Sequence, residues 1–237
     1  MDQKTIAIKG TSRGSVVTKA NSLIEASYTL TLNEQRIILA CAAKLDGRKP
    51  MPRETAFVLT AEEFCELFET DPASAYSELK DAANRLYERD ISRIDGKSRT
   101  RLRWVYMAHY QDGEGLVRIA FSPEIAPYLT LLHKQFTSYR LEEVAMLGTA
   151  YAIRLYEMLA QFNSTGVFSI AVADFKARYG LTEKYARFAN LKARVIQPAV
   201  QELNDKTSFA VTWKGIKTGK TVERLEFRFT EKAATAV

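Results

Sequence analysis

Residues 185–207 read YARFANLKARVIQPAVQELNDKT, and no acidic residue stands between Tyr185 and Glu202. Exposed helices usually mix both signs of charge, so this one-sidedness needs a cause. On a 3.6-residue period Phe188, Leu191, Val195, Ala199 and Leu203 form one apolar stripe, which marks the buried face. The opposite stripe holds Arg187, Asn190, Arg194, Gln197 and Gln201, with Lys184 and Lys192 on its flanks. Arginine can donate to both acceptors of guanine, and Asn or Gln can pair with the donor and acceptor of adenine. An acid there would repel phosphate, whereas cations gain affinity by releasing counterions. The pattern predicts a long helix from about Glu183 whose polar side lies in a major groove; the bland alternative is a merely hydrated face. Pro198 removes a hydrogen bond to the Arg194 carbonyl, so a bend or stop is expected there and Gln201 is the weakest member of the set.

The elements around this helix give it a setting. Before it come a helix, GTAYAIRLYEMLAQF, a strand, VFSI, and a helix, VADFKARYG; after it comes a hairpin, SFAVTWK with TVERLEFRFT, carrying Lys214, Lys217 and Lys220. Helix, strand, helix, helix and hairpin in that order make a winged-helix form of helix-turn-helix. The same order occurs earlier. An apolar stripe from Leu30 to Leu45 is followed by FVLT, then by AEEFCELF with Thr60 as N-cap, and then by ASAYSELKDAANRLYER. SRTRLRWVYMAHY and GLVRIAF follow as a hairpin around QDGE, and SPEIAPYLTLL as a short capped helix. Phe57 and Phe64 superpose on Phe168 and Phe175, and with one residue inserted Leu79-Lys80 falls on Leu191-Lys192. The predicted fold is therefore α+β: two tandem winged-helix domains related by internal repeat. Residues 1–22, without periodicity, are expected to form a flexible arm, 23–134 the first domain and 135–237 the second.

The first domain's second helix differs in charge. Tyr76, Leu79, Ala83 and Leu86 face inward, and Ser74, Glu78, Asp81, Arg85 and Glu88 face out, a poor match for phosphate. Its hairpin compensates, because strand alternation puts Arg99, Arg101 and Arg103 on one face and Leu102, Trp104 and Tyr106 on the other. Those arginines are expected to touch phosphate rather than bases, the alternative being a charged edge strand that resists aggregation.

Composition narrows the class. The 237 residues are 46% hydrophobic, enough for a sizeable core, and the net charge is +6. No apolar leader segment or membrane-length run is present, so a cytoplasmic protein without membrane partners is expected. Cys41 and Cys65 lie in apolar helical patterns and are expected to be reduced. GIKTGKT at Gly215–Thr221 has three residues between its glycines where a phosphate loop needs four, and it lies between strands. His109 and His133 are the only histidines and have no ligand spacing; neither a metal site nor a cofactor is expected, nor an enzyme acting on DNA ends. Tyr151 and Tyr156 lie in an apolar helical pattern and read as core.

NSLIEASYTLTLNEQRIILACAAKL, YAIRLYEMLAQF and FANLKARVIQPAVQELN, in that order between about Asn21 and Phe229, resemble the plasmid replication initiators of the two-winged-helix, iteron-binding type. The resemblance implies an initiator that binds direct repeats at a duplex DNA origin as a monomer and represses its own gene as a dimer. It implies base reading at Lys184, Arg187, Asn190, Lys192 and Arg194. It also implies a first domain for dimerisation and auxiliary DNA contacts, and host replication proteins such as a helicase or initiator as partners. A transcriptional repressor without a replication role would use the same physics. Two domains on one side of B-DNA would engage grooves one turn apart.

Overall fold

Four helix starts in this chain are written by side chains that cap backbone donors. Thr31 Oγ1 accepts from the Glu34 amide while Glu34 Oε2 accepts from the Thr31 amide, a reciprocal box that opens the helix Leu32–Ala42. Thr60 Oγ1 accepts from the Glu63 amide at 3.0 Å, Asp71 Oδ1 from Ala73 at 3.0 Å, and Thr149 Oγ1 from Ala152 at 3.1 Å. The computed structural model describes residues 11–51, 55–95, 98–110, 113–132 and 135–232, and the side chains of 93–99 lie outside that description. The first half runs β1 (Val16–Ala20), α1 (Asn21–Ile24), α2 (Leu32–Ala42), β2 (Phe57–Thr60), α3 (Ala61–Phe68) and α4 (Pro72–Tyr87). It continues with β3 (Asp90–Asp95), β4 (Ser98–Arg103), β5 (Val105–Tyr110), β6 (Leu116–Phe121), β7 (Phe136–Arg140) and α5 (Glu142–Ala145). The second half comprises α6 (Ala150–Ala160), β8 (Val167–Ala171), α7 (Val172–Arg178), α8 (Phe188–Leu191), α9 (Gln197–Lys206), β9 (Phe209–Thr218) and β10 (Thr221–Glu231).

The internal repeat holds in three dimensions. One sheet has the order β2-β6-β5 and the other β8-β10-β9, antiparallel throughout, so in each the short strand before the helix pair joins the second arm of the hairpin. Phe57 sits opposite Ile119, and Phe168 opposite Phe227. Phe57, Phe64 and Leu79 are buried in the first unit, as are Phe168, Phe175 and Leu191 at the matching places of the second. Two tandem winged-helix domains in an α+β chain are therefore the architecture.

The chain divides into two units after Met146, not between 134 and 135. β7 belongs to the first unit because all five of its residues pair with β1, from Val16 opposite Arg140 to Ala20 opposite Phe136. That pairing also corrects the arm: within 1–22, residues 16–20 form a strand with Val17 fully buried, and Arg13 pairs with Glu69 at 2.8 Å. Residues 1–10 lie outside the described residues. The long strand expected through Trp104 is two strands. β4 pairs with β3, and β5 pairs with β6, with the break at Trp104, whose ring is buried edge-on against Tyr28 at 5.1 Å. The expected capped helix of SPEIAPYLTLL is one 3-10 turn, Ala126–Tyr128.

The two cores differ in chemistry. In the first unit Glu34 is fully buried beneath Arg85 at 3.4 Å and Arg89 at 3.1 Å, tying α2 to the end of α4. Cys41 is buried and unpaired in a disulfide, and desolvation pushes its thiol up to about 12; Cys65 is also free. In the second unit the core is aromatic: Phe168, Phe175, Tyr179, Phe209, Phe227 and Phe229 stack or tilt against one another at 4.4–6.5 Å. Burying one such ring contributes about 1.5–3 kcal/mol.

Candidate nucleic-acid interface

Burial along residues 188–206 separates one apolar side from one polar side. Leu191, Val195, Ile196, Ala199, Val200 and Leu203 are buried, and Phe188 is half-buried. Arg187, Asn190, Lys192, Arg194, Gln197 and Gln201 are exposed, and so is Lys184 just ahead of the helix. The acid-free side therefore faces solvent.

The helix itself differs from the expected one in two respects. It starts at Phe188 with Arg187 as its N-cap, so Lys184 lies in the preceding turn, and Tyr185 adopts φ 53°, the left-handed region. It neither stops nor breaks at Pro198: the 188–206 segment stays helical, with a π turn at Lys192–Ile196 just before the proline. There the Gln197 amide donates to the Lys192 carbonyl, five residues back. The wider turn moves the chain past a residue that has no amide hydrogen to give. It also inserts one residue into the period, so Gln197 and Gln201 leave the line of Arg187, Asn190 and Arg194 that a uniform 3.6 repeat would draw. Gln201 instead donates to the Asp205 carboxylate at 2.9 Å.

The hairpin supplies the wing. β9 and β10 pair from Phe209 opposite Glu231 to Thr218 opposite Thr221, with a bulge between Val222 and Arg224. The tip is Gly219-Lys220, and φ 61° at Gly219 is the backbone geometry for which glycine is favoured at the first place of a two-residue turn. Gly215 avoids a close approach of another kind. A Cβ there would lie 2.8 Å from Val222 Cγ1. The GIKTGKT segment is thus strand and hairpin tip, with no helix to receive a phosphate.

Charges on this surface fall into two groups. Among the described residues, none of Lys184, Arg187, Arg194, Lys217 and Lys220 has an ion pair. Lys214 does: its Nζ lies 3.1 Å from Glu226 Oε1, which Arg228 also bonds at 2.9 Å. Arg228 first, and Lys214 second, hold the Glu226 carboxyl below the usual carboxylate range. Lys192 Nζ stands 6.0 Å from the Trp213 ring, joining helix to wing. Trp213 was missed in the sequence although strand alternation from the buried Phe209 and Val211 places it on their side. Unpaired cations beside Asn190, with Glu226 engaged by Lys214 and Arg228, suit a polyanion that also offers hydrogen-bond acceptors.

The first unit is different, and the arginines expected on its wing hairpin stand on β4, in the separate β3-β4 sheet, not on β5-β6. Tyr76 is half-buried while Leu79, Ala83 and Leu86 are buried, as the period predicts. Arg101 pairs with Asp90, and Arg103 bonds Asp90, Glu88 and the Tyr87 carbonyl, although both arginines remain largely exposed. Arg99 is in β4 opposite Ile94, and its side chain lies outside the described residues. Among the described residues no group of three His, Cys, Asp or Glu side chains could hold a metal ion, and no helix is long and apolar enough to cross a membrane.

Comparison with known proteins places this geometry. The family description "Initiator Replication protein, WH1" matches residues 16–160, and "Initiator Rep protein, WH2" matches residues 171–229. An Escherichia coli replication initiation protein is 29% identical over 198 residues, covering 80% of this chain and 62% of its own length, so the chain spans less than two thirds of that relative. An E. coli protein named PI protein is 23% identical, covering 88% of this chain and 80% of its own. The solved structure of the Pi initiator protein in complex with iteron DNA superposes with a TM-score of 0.81 at 22% identity, covering 94% of this chain and 99% of that one. With one domain of each kind in the expected order, the chain belongs to the initiator replication protein family.

Proposed function

We propose that the chain starts plasmid replication by binding direct repeats in duplex origin DNA, with the 188–206 helix in a major groove and the β9-β10 wing on the adjacent backbone. The observation that carries this is the exposed, acid-free line of Arg187, Asn190 and Arg194 over a fully apolar underside, in a family of initiators whose structural neighbour is described with iteron DNA. Lys184, Arg187, Asn190, Lys192 and Arg194 contact bases or the phosphates flanking them, while Lys214, Lys217 and Lys220 follow phosphate. Gln197, turned away by the π turn, contributes at the groove edge.

The first unit, with its internally paired Arg101 and Arg103 and its mixed-charge α4, serves self-association and auxiliary phosphate contact, with Arg99 in the same strand. A dimer represses the chain's own gene and a monomer occupies the repeats. Host replication proteins such as a helicase or initiator are recruited to the opened duplex in the cytoplasm, with no covalent chemistry by this chain.

Footprinting on DNA flanking its gene tests the proposal. A tandem array of same-direction sites is the expected result. A single inverted repeat would leave a transcriptional repressor as the function, and metal-dependent nicking would replace both with an enzyme.

A further inference from the structure

Pro198 is exposed in the interior of a 188–206 helix, where it fills no part of the core and denies the helix a hydrogen bond. Its influence must run through the backbone. The α-helical donor for the Arg194 carbonyl would be the amide of residue 198, which proline lacks; the donor for Ala193 would be Gln197, which turns to Lys192 instead. Two successive carbonyls thus lose their α-helical partners at the exposed side chains assigned above to base contact.

A π turn adds one residue to the helix, so everything after it is rotated by about 100° against everything before it, relative to an unbroken α-helix. Without that rotation the buried Leu191, Val195, Ile196, Ala199, Val200 and Leu203 would spread over roughly half the circumference. With it they close to an arc of about 100° and seat on one core. The proline and the apolar pattern therefore demand the same extra residue. Tyr185, at φ 53°, constrains the chain at the other end of the exposed line.

We infer that Pro198 is a specificity-determining positioning residue: by holding the π turn at Lys192–Ile196 it fixes the direction in which Lys192 and Arg194 leave the helix relative to Arg187 and Asn190. The inference rests on the proposed base-reading role of this helix. Pro198 touches no base in this account, and its whole effect is transmitted by the backbone.

The test uses the full chain and the duplex that the wild-type chain enriches from a randomised pool, with a scrambled duplex as control. Pro198→Ala should lower the ratio of preferred to scrambled affinity by about tenfold with the salt slope kept, because an amide at 198 can again reach the Arg194 carbonyl and loosen the π turn that the buried residues still favour. A merely structural proline gives another result: both affinities and the thermal midpoint fall together, which overturns the inference. So does a ratio retained within about twofold. Arg194→Ala run alongside separates the two levels. If it leaves the ratio unchanged, or if the wild-type chain enriches no duplex, base reading by this helix fails and the inference falls with it.

Discussion

Arg101 and Arg103 in the first unit are engaged by Asp90 and Glu88, whereas Arg187, Arg194, Lys217 and Lys220 in the second have no ion pair among the described residues. The first set stands on β4, in the separate β3-β4 sheet, and the second on the 188–206 helix and the β9-β10 wing. An added hairpin and the placement of a few acids therefore set the charge that each copy presents. Both units bury charge, Glu34 under two arginines in the first and Arg154 with Glu157 on α6 in the second, and the second adds a core of stacked rings. The two units share a three-stranded sheet and helix pair and differ in what they add and in their surfaces.

The largest expected effect tests the shared topology. Phe64→Ala and Phe175→Ala remove equivalent buried rings and should each cost about 3–5 kcal/mol in urea unfolding. A difference above about 2 kcal/mol between them would break the equivalence of the two cores. Next comes the buried charge of the first unit. Glu34→Ala removes the N-terminal box of α2 and the partner of Arg85 and Arg89, and should cost about 1–3 kcal/mol, the half-exposed arginines recovering part through water. In the second unit α6 is capped by Thr149 and buries its own charged residues, Arg154 and Glu157.

Binding effects follow. Arg194→Ala should lose about 1–3 kcal/mol on preferred duplex and relax preference at one position, measured by competition against single-base variants. Arg101→Ala, already paired with Asp90, should change affinity by less than about 0.5 kcal/mol; a loss equal to that of Arg194→Ala would erase the asymmetry between units. Lys217→Ala should weaken all sequences alike and lower the salt slope by about one. The smallest effect concerns pH. Because the Glu226 carboxyl is held low by Arg228 and Lys214, the pairing is complete at neutral pH and is lost only as pH falls through that lowered value, freeing Lys214. Glu226→Gln mimics that release, and the salt slope should rise by up to about one at pH 7.

Much of this was legible in the residues. Thr31, Thr60, Asp71 and Thr149 announce helix starts because a capping oxygen is a local signal, and the 3.6-residue period picks out Leu191, Val195, Ala199 and Leu203 as buried, but it leaves out Ile196 and Val200, which the π turn brings to the same side. Two strands, β1 and β7, were not legible from their own residues. β1 exists only because it pairs with β7, more than a hundred residues away, and a short mixed-polarity strand carries no signal until its partner is known. β3 did leave a trace, the Asp95-Gly96 dipeptide, a pair favoured in two-residue hairpin turns. Trp104 read as one more strand residue, yet its burial against Tyr28 is what ends β4 and starts β5 elsewhere.

The amino-acid order by itself determined the repeated winged-helix architecture, the buried side of each helix and the identity of the acid-free line, since all three follow from periods and caps that act over a few residues. Tertiary structure alone decided which cations are paired, where the units divide, and that the chain passes Pro198 through a π turn. Those outcomes depend on groups brought together from far apart, and on a backbone that settles between a proline and a core that both require one extra residue in the same turn.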